Sequence, residues 1–319
     1  MYRGVLDEDI HPRELLLEAV GDRIEVDVGV DGDEAAAADR LAGADVAFVT
    51  SRIAVSRRVL EATDLSVVAK IGTGIDNVDL AAAREQGVAV THTPGLNALS
   101  VAEHAVGLLL ATRRHTVAGH RGLADGRWRD SVPLGTLVSG STVGLVGFGN
   151  VGRRIASLLR GFDVTTLAHD PYVDRIEGQP VHADLTDLEA VLARSDSVVV
   201  AAELTDETRG MIDGEALARM DGDAVLVNVA RGPIVDPAAL VAALRGDELR
   251  GAGLDVHATE PLPADSPLHG FENVVLTPHV GGATETARRE GARTLGTNAL
   301  ALLDGEPVPD RYVAVRPRD

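Results

Sequence analysis

The sequence contains no cysteine, which excludes disulfide bonds, thiolate metal sites and thiol catalysis together. Long apolar runs are missing as well. The longest, such as residues 198–202 and 224–227, fall far short of the roughly 20 residues that a membrane-spanning helix needs. Residues 1–13 are charged and carry no apolar signal core. These absences predict a cytoplasmic protein without a membrane partner.

Lysine is almost absent, because 29 of the 30 basic residues are arginine and Lys70 is the exception. The 49 acidic residues give a formal net charge of -19, a field that repels phosphates and predicts no nucleic-acid partner. Acid-rich, lysine-poor surfaces are typical of halophilic proteins, for example from haloarchaea, because salt screens the self-repulsion. A GC-rich genome is the alternative explanation for the arginines, but it does not account for the acid excess. An anionic substrate would need a local cationic pocket, for which Arg52, Lys70 and Arg231 are candidates.

Short β-branched runs alternate with helical segments along almost the whole chain of 319 residues, a length that suits two domains. This alternation is typical of parallel sheets covered by crossover helices, so the fold class is α/β. In the first part, the pattern predicts strands at residues 46–50, 67–71 and 88–91 and helices at 56–62 and 80–86. In the second part, it predicts strands at residues 143–147, 164–168, 197–201, 224–229, 253–256 and 274–277.

Residues 142–152 have the features of a dinucleotide-binding turn. A buried-strand pattern leads into the sequence GFGNVG, and an amphipathic helix follows. Gly147 permits the tight turn, Gly149 lets the backbone approach a pyrophosphate, and Gly152 lets helix and strand pack closely. The helix N-terminus supplies N–H donors for an anion. An ordinary tight turn would explain the glycines alone, but strand, glycines and helix together favour a dinucleotide.

Asp170 follows the next predicted strand, 23 residues after Gly147. In such folds an acid at this place hydrogen-bonds the hydroxyls of the adenosine ribose. A carboxylate would also repel a 2′-phosphate, so Asp170 favours NAD over NADP. Arg175 is the nearest arginine, and a positive charge there would weaken this preference for NAD.

Two helical segments, of which the first is strongly apolar, mark the crossings between the domains. The segment at residues 99–112 follows Pro94 and Gly95, and the segment at 284–303 follows Gly281 and Gly282. We therefore expect two doubly wound parallel-sheet domains. A Rossmann NAD-binding domain at residues 97–283 is inserted into a discontinuous, flavodoxin-like substrate domain at residues 1–96 and 284–319.

Three residues suited to the oxidation of a hydroxy acid follow successive predicted strands. Arg231 offers a cation for a carboxylate, His279 offers a proton shuttle, and Glu260 offers a partner that sets the charge of the shuttle. Ligands of open α/β sheets bind at the carboxyl ends of strands. Each residue has a structural alternative, namely a salt bridge, a capped loop residue and a solvated acid respectively, but their joint occurrence favours catalysis.

At this point the chain resembles the D-isomer-specific 2-hydroxy acid dehydrogenase family. Its members include phosphoglycerate, glyoxylate/hydroxypyruvate, D-lactate and formate dehydrogenases. The resemblance covers nearly the whole chain, and six ordered motifs together make it specific. These motifs are KIGTGIDNVD at 70–79, GFGNVG at 147–152, LTDETRG at 204–210, NVARGPIVD at 228–236, DVHATEP at 255–261 and TPHVGG at 277–282.

The resemblance implies that His279 donates a proton to the 2-oxo oxygen as hydride arrives from the nicotinamide. Glu260 would hydrogen-bond the other ring nitrogen and favour the protonated ring. Arg231 would bind the carboxylate and the carbonyl of the substrate. Backbone N–H groups of Thr73 and Gly74 would bind the rest of the carboxylate.

The resemblance also implies the binding residues for both ligands, and a homodimer in which the helix at 99–112 takes part. A buried helix within one domain would give the same pattern. Asp255 would orient the nicotinamide carboxamide. The candidate cofactor-binding residues are Gly147, Gly149, Asn150, Val151, Gly152, Asp170, Leu204, Thr205, Ala230, Asp255, His279 and Gly281. The candidate substrate-binding residues are Arg52, Lys70, Thr73, Gly74 and Arg231.

Some positions depart from the family pattern. Glu203 lies where many relatives have proline in H-x-P-L-T, and it either disturbs the cofactor site or faces solvent. Thr50 replaces the first arginine of the Arg-Ser-Arg that phosphoglycerate-specific members often carry, so one phosphate-binding cation is missing, which Lys70 could only partly replace. No regulatory domain is expected after the helix at 284–303.

These features favour an NAD-dependent enzyme for a small 2-oxo or 2-hydroxy acid, with glyoxylate or hydroxypyruvate preferred over 3-phosphoglycerate. The alternative is an NAD-sensing, corepressor-like scaffold with the same fold. The nine histidines other than His279 are interpreted as structural. Because His104, His115 and His120 have spacings that form no clear metal-binding face and no H-E-x-x-H motif occurs, we expect no metal.

Overall fold

The computed structural model describes residues 1–30, 34–173 and 182–316, which fall into two units. The first unit comprises Met1–Asn97 and Ala283–Asp319, and the second comprises Ala98–Gly282. Among the described residues, no helix is both long and apolar enough to cross a membrane.

Strands and helices alternate along both units. The strands are β1 (Tyr2–Leu6), β2 (Ile24–Val28), β3 (Val46–Val49), β4 (Val67–Lys70), β5 (Ala89–His92), β6 (Thr142–Val146), β7 (Thr165–His169), β8 (Asp184–Leu185), β9 (Ser197–Val200), β10 (Val225–Asn228), β11 (Gly251–Leu254), β12 (Val274–Leu276) and β13 (Val313–Val315). The helices are α1 (Arg13–Val20), α2 (Glu34–Leu41), α3 (Arg57–Glu61), α4 (Leu80–Gln86), α5 (Ala98–Arg113), α6 (Thr116–Ala124), α7 (Asn150–Leu159), α8 (Leu188–Arg194), α9 (Gly214–Ala218), α10 (Pro237–Arg245) and α11 (Glu285–Leu303).

The first unit contains, in its described part, a six-stranded sheet in the order β13-β5-β4-β3-β1-β2. Its five N-terminal strands are parallel, and their order 2-1-3-4-5 is the flavodoxin-like one. Helices α1 and α11 cover one face, and α2, α3 and α4 cover the other. The predicted doubly wound α/β fold is confirmed. The edge strand β13, which pairs antiparallel with β5, was not predicted.

Strand β3 shows why these residues form a buried parallel strand. Val46 and Phe48 pack into the core with α1 and α11, while Ala47 and Val49 pack into the opposite core. All four side chains are fully buried. An uninterrupted apolar run of this kind suits a strand that is covered on both faces.

The second unit contains a parallel sheet of seven described strands in the order β12-β11-β10-β9-β6-β7-β8. Counted from β6, the first six strands follow the Rossmann order 3-2-1-4-5-6. Helices α5 and α7 pack on one face, and α8, α9 and α10 pack on the other. This arrangement confirms the predicted dinucleotide-binding fold.

Strand β11 begins two residues earlier than the pattern predicts, because its glycines serve close packing instead of an apolar pattern. A side chain on Gly253 would approach Thr112 Oγ1 to 3.0 Å and Leu108 Cβ to 3.1 Å, both on α5. The close approach of α5 therefore favours glycine at this position of the strand.

Most helices of the two sheets start at a polar side chain that binds the first free N–H groups, as helix caps do. These caps are Ser56, Asp79, Asp187, Asp213, Asp236 and Thr284. Helix α7 differs, because its N-cap residue is Gly149, which has no side chain to bind the helix N–H groups. The first turn of α7 therefore remains available to an external anion.

Candidate active site

The glycine loop between β6 and α7 is built around close backbone packing. Gly147 has a φ of 96°, and a Cβ atom there would lie 2.5 Å from the backbone N of Ala202. A Cβ on Gly152 would overlap the carbonyl oxygen of Gly147, whereas around Gly149 there is open space. The first and third glycines are thus needed for packing, and the second leaves room for a ligand beside the start of α7.

Asp170 lies at the end of β7 and binds the glycine loop directly. Its Oδ2 accepts a hydrogen bond from the backbone N–H of Phe148 at 2.8 Å, and its Oδ1 accepts one from that of Tyr172 at 3.0 Å. The hydroxyl of Tyr172 donates to Glu207 at 2.6 Å, and this bond raises the pKa of Tyr172. The surroundings of Asp170 are therefore acidic. Arg175 lies outside the described residues.

The chain after β9 passes beside the same loop at Ala202 and then forms a turn of its own. Thr205 and Thr208 form a turn in which the backbone N–H of Thr205 donates to Thr208 Oγ1 at 2.8 Å, and the Thr208 hydroxyl donates to the carbonyl of Glu203 at 2.6 Å. The Glu203 residue is exposed, and Leu204 is half-buried. The structure thus places the Glu203 carboxylate at the surface, one residue beyond the contact of Ala202 with the glycine loop.

Arg231 lies in a turn that Asn228 holds at the end of β10. The buried Asn228 accepts a hydrogen bond from the N–H of Ala230 at 3.0 Å and donates to the carbonyl of Arg231 at 3.1 Å. A Cβ on Gly232 would overlap the backbone of His257, so only glycine lets the two loops meet. This contact brings the Arg231 turn against the loop after β11.

Glu260 and His279 form a hydrogen-bonded pair. His279 Nδ1 lies 2.8 Å from Glu260 Oε2, while Glu260 Oε1 accepts the backbone N–H of His257 at 2.9 Å. Burial alone would raise the pKa of Glu260, but the hydrogen bonds from these two histidines hold it below its usual value. An ionised carboxylate only accepts, so Nδ1 carries the proton and Nε2 is the nitrogen available to a substrate.

The turn that carries His279 is held by Asp255. His279 has a φ of 52°, an uncommon value for a residue with a side chain, and its N–H donates to the carbonyl of Asp255 at 2.8 Å. The Asp255 carboxylate accepts from the hydroxyl of Thr277 at 2.6 Å and from the N–H groups of Val280 and Gly281 at 2.9 and 2.8 Å. These four contacts fix the backbone on both sides of the histidine.

His104 of α5 completes this network. Its Nε2 lies 2.9 Å from Thr277 Oγ1 and 3.2 Å from Asp255 Oδ1. Burial raises the pKa of Asp255, but the hydrogen bonds from His104, Thr277 and two backbone N–H groups outweigh burial and hold its pKa far below the ordinary value. The sequence analysis interprets His104 only as a structural histidine, and its contact with Asp255 could not be predicted because His104 lies on a distant helix.

The loop after β4 in the first unit presents two backbone donors. Thr73 Oγ1 donates to Asn97 at 3.2 Å, and His92 binds the Thr73 carbonyl at 3.0 Å. These two hydrogen bonds hold the loop in place. Within the described residues, no acceptor binds the N–H groups of Thr73 and Gly74. The ammonium of the buried Lys70 lies beside this loop, since a Cβ on Gly72 would be 3.2 Å from its Nζ.

Arg52 is held by acidic residues of its own unit. Its Nη2 lies 2.6 Å from Asp7 Oδ1 and its Nε lies 3.1 Å from Asp9 Oδ2. The sequence analysis predicts Arg52 as a substrate-binding residue but predicts none of these acidic partners. The guanidinium is therefore oriented by protein carboxylates.

The second unit thus brings Arg231, Glu260 and His279 to the carboxyl ends of three neighbouring strands, β10, β11 and β12. The glycine loop and Asp170 lie at the same edge, after β6 and β7. In the described ranges, no cluster of three or more histidines and acids is arranged to hold a metal ion. The same edge of this sheet thus holds a loop suited to a dinucleotide and an acid–histidine pair suited to moving a proton.

Comparison with known proteins identifies the family. Residues 106–281 match the family described as D-isomer specific 2-hydroxyacid dehydrogenase, NAD binding domain. A glyoxylate reductase of Thermofilum pendens is 40% identical over 255 residues, which cover 78% of this chain and 75% of that protein. The chain therefore belongs to the D-isomer specific 2-hydroxyacid dehydrogenase family.

Two further relatives extend the match to nearly the whole chain. The D-3-phosphoglycerate dehydrogenase of Mycobacterium tuberculosis is 41% identical over 295 residues, 92% of this chain. A crystal structure of a Thermus thermophilus protein matches with a TM-score of 0.89 at 35% identity, covering 98% of this chain and 100% of that one. The chain spans only 55% of the mycobacterial enzyme. The names of the two curated relatives favour the dehydrogenase hypothesis over the NAD-sensing scaffold.

Proposed function

We propose that this protein transfers a hydride between NAD and a small D-2-hydroxy acid or 2-oxo acid. The observation that carries the proposal is the Glu260–His279 pair, held at the carboxyl edge of a dinucleotide-binding sheet. A proton shuttle with one fixed nitrogen and one available nitrogen is what carbonyl reduction requires. The family match over residues 106–281 supports the same chemistry.

In the direction of reduction, His279 Nε2 donates a proton to the 2-oxo oxygen. NADH, when bound, supplies the hydride to the carbonyl carbon. The carboxylate of Glu260 stabilises the protonated ring and fixes its orientation through Nδ1. Arg231 binds the substrate carboxylate and polarises the carbonyl. In the reverse direction the neutral ring accepts the hydroxyl proton.

The residues present fit a dinucleotide. Open space at Gly149 and the first turn of α7, which lacks a side-chain cap, suit a pyrophosphate. The ionised Asp255 fixes the turn that would face the nicotinamide. The proposed cofactor-binding residues remain Gly147, Gly149, Asn150, Val151, Gly152, Asp170, Leu204, Thr205, Ala230, Asp255, His279 and Gly281.

We propose NAD as the preferred cofactor over NADP. Asp170 keeps acceptor positions beyond its two hydrogen bonds, and these suit ribose hydroxyls. Glu207 adds a second carboxylate through Tyr172. A 2′-phosphate would meet this negative charge without a neighbouring arginine among the described residues that bind Asp170.

For the substrate carboxylate we propose the N–H groups of Thr73 and Gly74 and the side chain of Arg231. The two N–H donors belong to a loop in which the hydroxyl and the carbonyl of Thr73 are already hydrogen-bonded. Lys70 adds positive charge beside that loop. Backbone donors next to a cation are a suitable site for a carboxylate.

We further propose a cytoplasmic homodimer adapted to salt. Large apolar side chains are exposed between residues 123 and 137, namely Leu123, Trp128, Leu134 and Leu137, with exposed fractions of 59%, 69%, 89% and 69%. A concentration of exposed apolar groups favours a protein partner, and a second copy is the simplest one. The net charge of -19 and the lack of cysteine favour a salt-rich, reducing environment.

The proposed function is tested by mixing the purified protein with NADH and either glyoxylate or hydroxypyruvate, at low and at molar salt. We expect NADH oxidation that depends on the 2-oxo acid. Absence of oxidation with both acids at all salt concentrations would contradict the proposal. His279→Ala should abolish turnover while NAD binding persists, which a scaffold without chemistry would not predict.

A further inference from the structure

His257 lies where the segments of the three proposed catalytic residues meet. It follows the end of β11 by three residues, and it is buried, with 8% of its surface exposed. Its ring takes no part in the proton transfer proposed for His279. The contacts of this histidine nevertheless reach the segments that carry Arg231, Glu260 and His279.

The ring of His257 binds the segment that precedes His279. Pairing between β11 and β12 ends at Leu254 and Leu276. Beyond that point, the N–H of Thr277 still donates to the carbonyl of Leu254 at 2.9 Å. The carbonyl of Thr277 lies 3.0 Å from Nε2 of His257. The side chain thus continues the contact between the two strands to the residue that lies two positions before His279.

The backbone of His257 contacts the segments of the other two residues. Its N–H donates to Oε1 of Glu260 at 2.9 Å, while Oε2 of the same carboxylate faces His279. In addition, Gly232 packs so closely against the backbone of His257 that a Cβ atom on this glycine would overlap it. Gly232 directly follows Arg231. One buried residue therefore connects the three segments.

The position of the ring proton of His257 follows from these contacts. A carbonyl oxygen only accepts, so Nε2 donates and carries the proton. Nδ1 is buried and has no hydrogen-bond partner among the described residues. A proton on Nδ1 would bury a donor without an acceptor, which is unfavourable, so the contacts fit the neutral ring. The Nε2–H group is therefore the part of the side chain that acts on its surroundings.

The contact at Thr277 complements the contacts of Asp255. The carboxylate of Asp255 binds the N–H groups of the two residues after His279. His257 instead binds the carbonyl of Thr277, which lies before His279. The turn is thus fixed on both sides of the proton shuttle, and loss of the contact at Thr277 would release one side.

We propose that His257 is a positioning residue, whose Nε2–H group holds the Thr277 carbonyl and thereby keeps His279 aligned with Glu260 for proton transfer. The inference rests on the proposed function and adds a residue that acts through His279. Small displacements of a proton donor lower the rate steeply, because proton transfer requires hydrogen-bond distance to the reacting oxygen.

The test compares two amide side chains at this position, in the variants His257→Gln and His257→Asn. The amide nitrogen of glutamine takes the place of Nε2 and still donates to the Thr277 carbonyl. The amide nitrogen of asparagine takes the place of Nδ1 and does not reach that carbonyl. We expect His257→Asn to lower kcat for hydroxypyruvate reduction about tenfold, the effect of about one lost hydrogen bond. His257→Gln should retain the kcat of the unmodified protein, and neither variant should change the Kd of NADH.

A matched control removes the same kind of bond elsewhere in the second unit. Nε2 of the exposed His269 lies 3.2 Å from the carbonyl of Pro263, and His269→Asn should leave kcat unchanged. The solvent deuterium isotope effect on kcat provides a second measurement. It should increase in His257→Asn, because proton transfer from a displaced ring becomes slower, whereas a loss of stability alone would not increase it.

Two kinetic outcomes would overturn the proposal. One is an equal kcat in His257→Asn and His257→Gln, and the other is an equal loss of kcat in His257→Asn and His269→Asn.

NMR of the protein with nitrogen-15 in its histidine rings measures the same contact without turnover. The unmodified protein should show His257 as the neutral Nε2–H tautomer. The ring signals of His279 should shift in His257→Asn but not in His269→Asn. A His257 ring protonated on Nδ1, or unchanged His279 signals in His257→Asn, would also overturn the proposal. If no 2-oxo acid oxidised NADH, the proposed function would fail, while the NMR signals would still decide the positioning role.

Discussion

Replacement of Glu260 by glutamine is the perturbation that tests the proton shuttle most selectively. Glutamine keeps an oxygen for the N–H of His257, which Glu260 binds at 2.9 Å. It removes the negative charge that faces His279 Nδ1 at 2.8 Å, and its amide would present a donor there instead. The variant therefore changes the electrostatics of the pair more than its shape.

The magnitude follows from the geometry of this pair. A hydrogen bond to a charged group contributes about 1.5–3 kcal/mol, and the exposure of these side chains, 36% and 38%, places this one at the lower end. About 1.4 kcal/mol corresponds to a tenfold change in rate. We expect Glu260→Gln to lower kcat for 2-oxo acid reduction about tenfold, and His279→Gln to lower it about 10²–10⁴-fold, the range for lost general acid catalysis.

The assay is the steady-state oxidation of NADH, with NADH binding measured separately. Glu215→Gln, which changes a carboxylate with 87% exposure on α9, is the control and should retain full activity. Full activity of Glu260→Gln would refute the role of the pair. Equal losses in both Glu260→Gln and the control would instead reflect net charge alone.

Three further outcomes are expected. Asp170→Ser should raise the NADPH to NADH ratio of kcat/KM at least tenfold, and an unchanged ratio would contradict the role of this acid. Gly232→Ala should reduce soluble, folded protein measured by circular dichroism, because its Cβ would overlap a backbone, whereas Gly149→Ala should fold and weaken NADH binding. The pKa values of Asp7 and Asp255 are lower in the folded chain than their ordinary value of 3.8, so both stabilise the fold above that pH. Thermal unfolding should accordingly shift to lower temperature as the pH falls below about 3.8, and a melting temperature that stays constant down to pH ~2 would refute this.

Most central strands of both sheets could be predicted, because their residues are buried on both faces and therefore form continuous apolar runs. Residues 46–50, for example, correspond to β3 (Val46–Val49). The interior strand β1 and the edge strands β2, β8 and β13 escaped prediction, whereas the edge strand β12 was predicted. In β2 (Ile24–Val28) acidic residues alternate with apolar ones, and β13 (Val313–Val315) has only three residues. Whether such segments form strands depends more on pairing with a neighbouring strand than on the local sequence.

The candidate site likewise contains residues that the sequence could place and contacts that it could not. The residues that directly follow strands, such as His279 after β12, could be placed because parallel strands end at one edge. Contacts between distant segments could not be placed. Arg52 binds Asp7 across 45 residues, and His104 reaches Asp255 from a helix earlier in the chain. No periodicity of the sequence encodes such side-chain contacts.

The most direct test of the account is isotope transfer from NADH that carries deuterium in both positions on carbon 4 of the nicotinamide. With hydroxypyruvate as acceptor, the account predicts glycerate of the D configuration with deuterium bound to carbon 2. It also predicts one molecule of NADH consumed for each molecule formed. Glycerate without deuterium would contradict direct hydride transfer at the site of Arg231, Glu260 and His279, and glycerate of the L configuration would contradict the assignment to D-2-hydroxy acids.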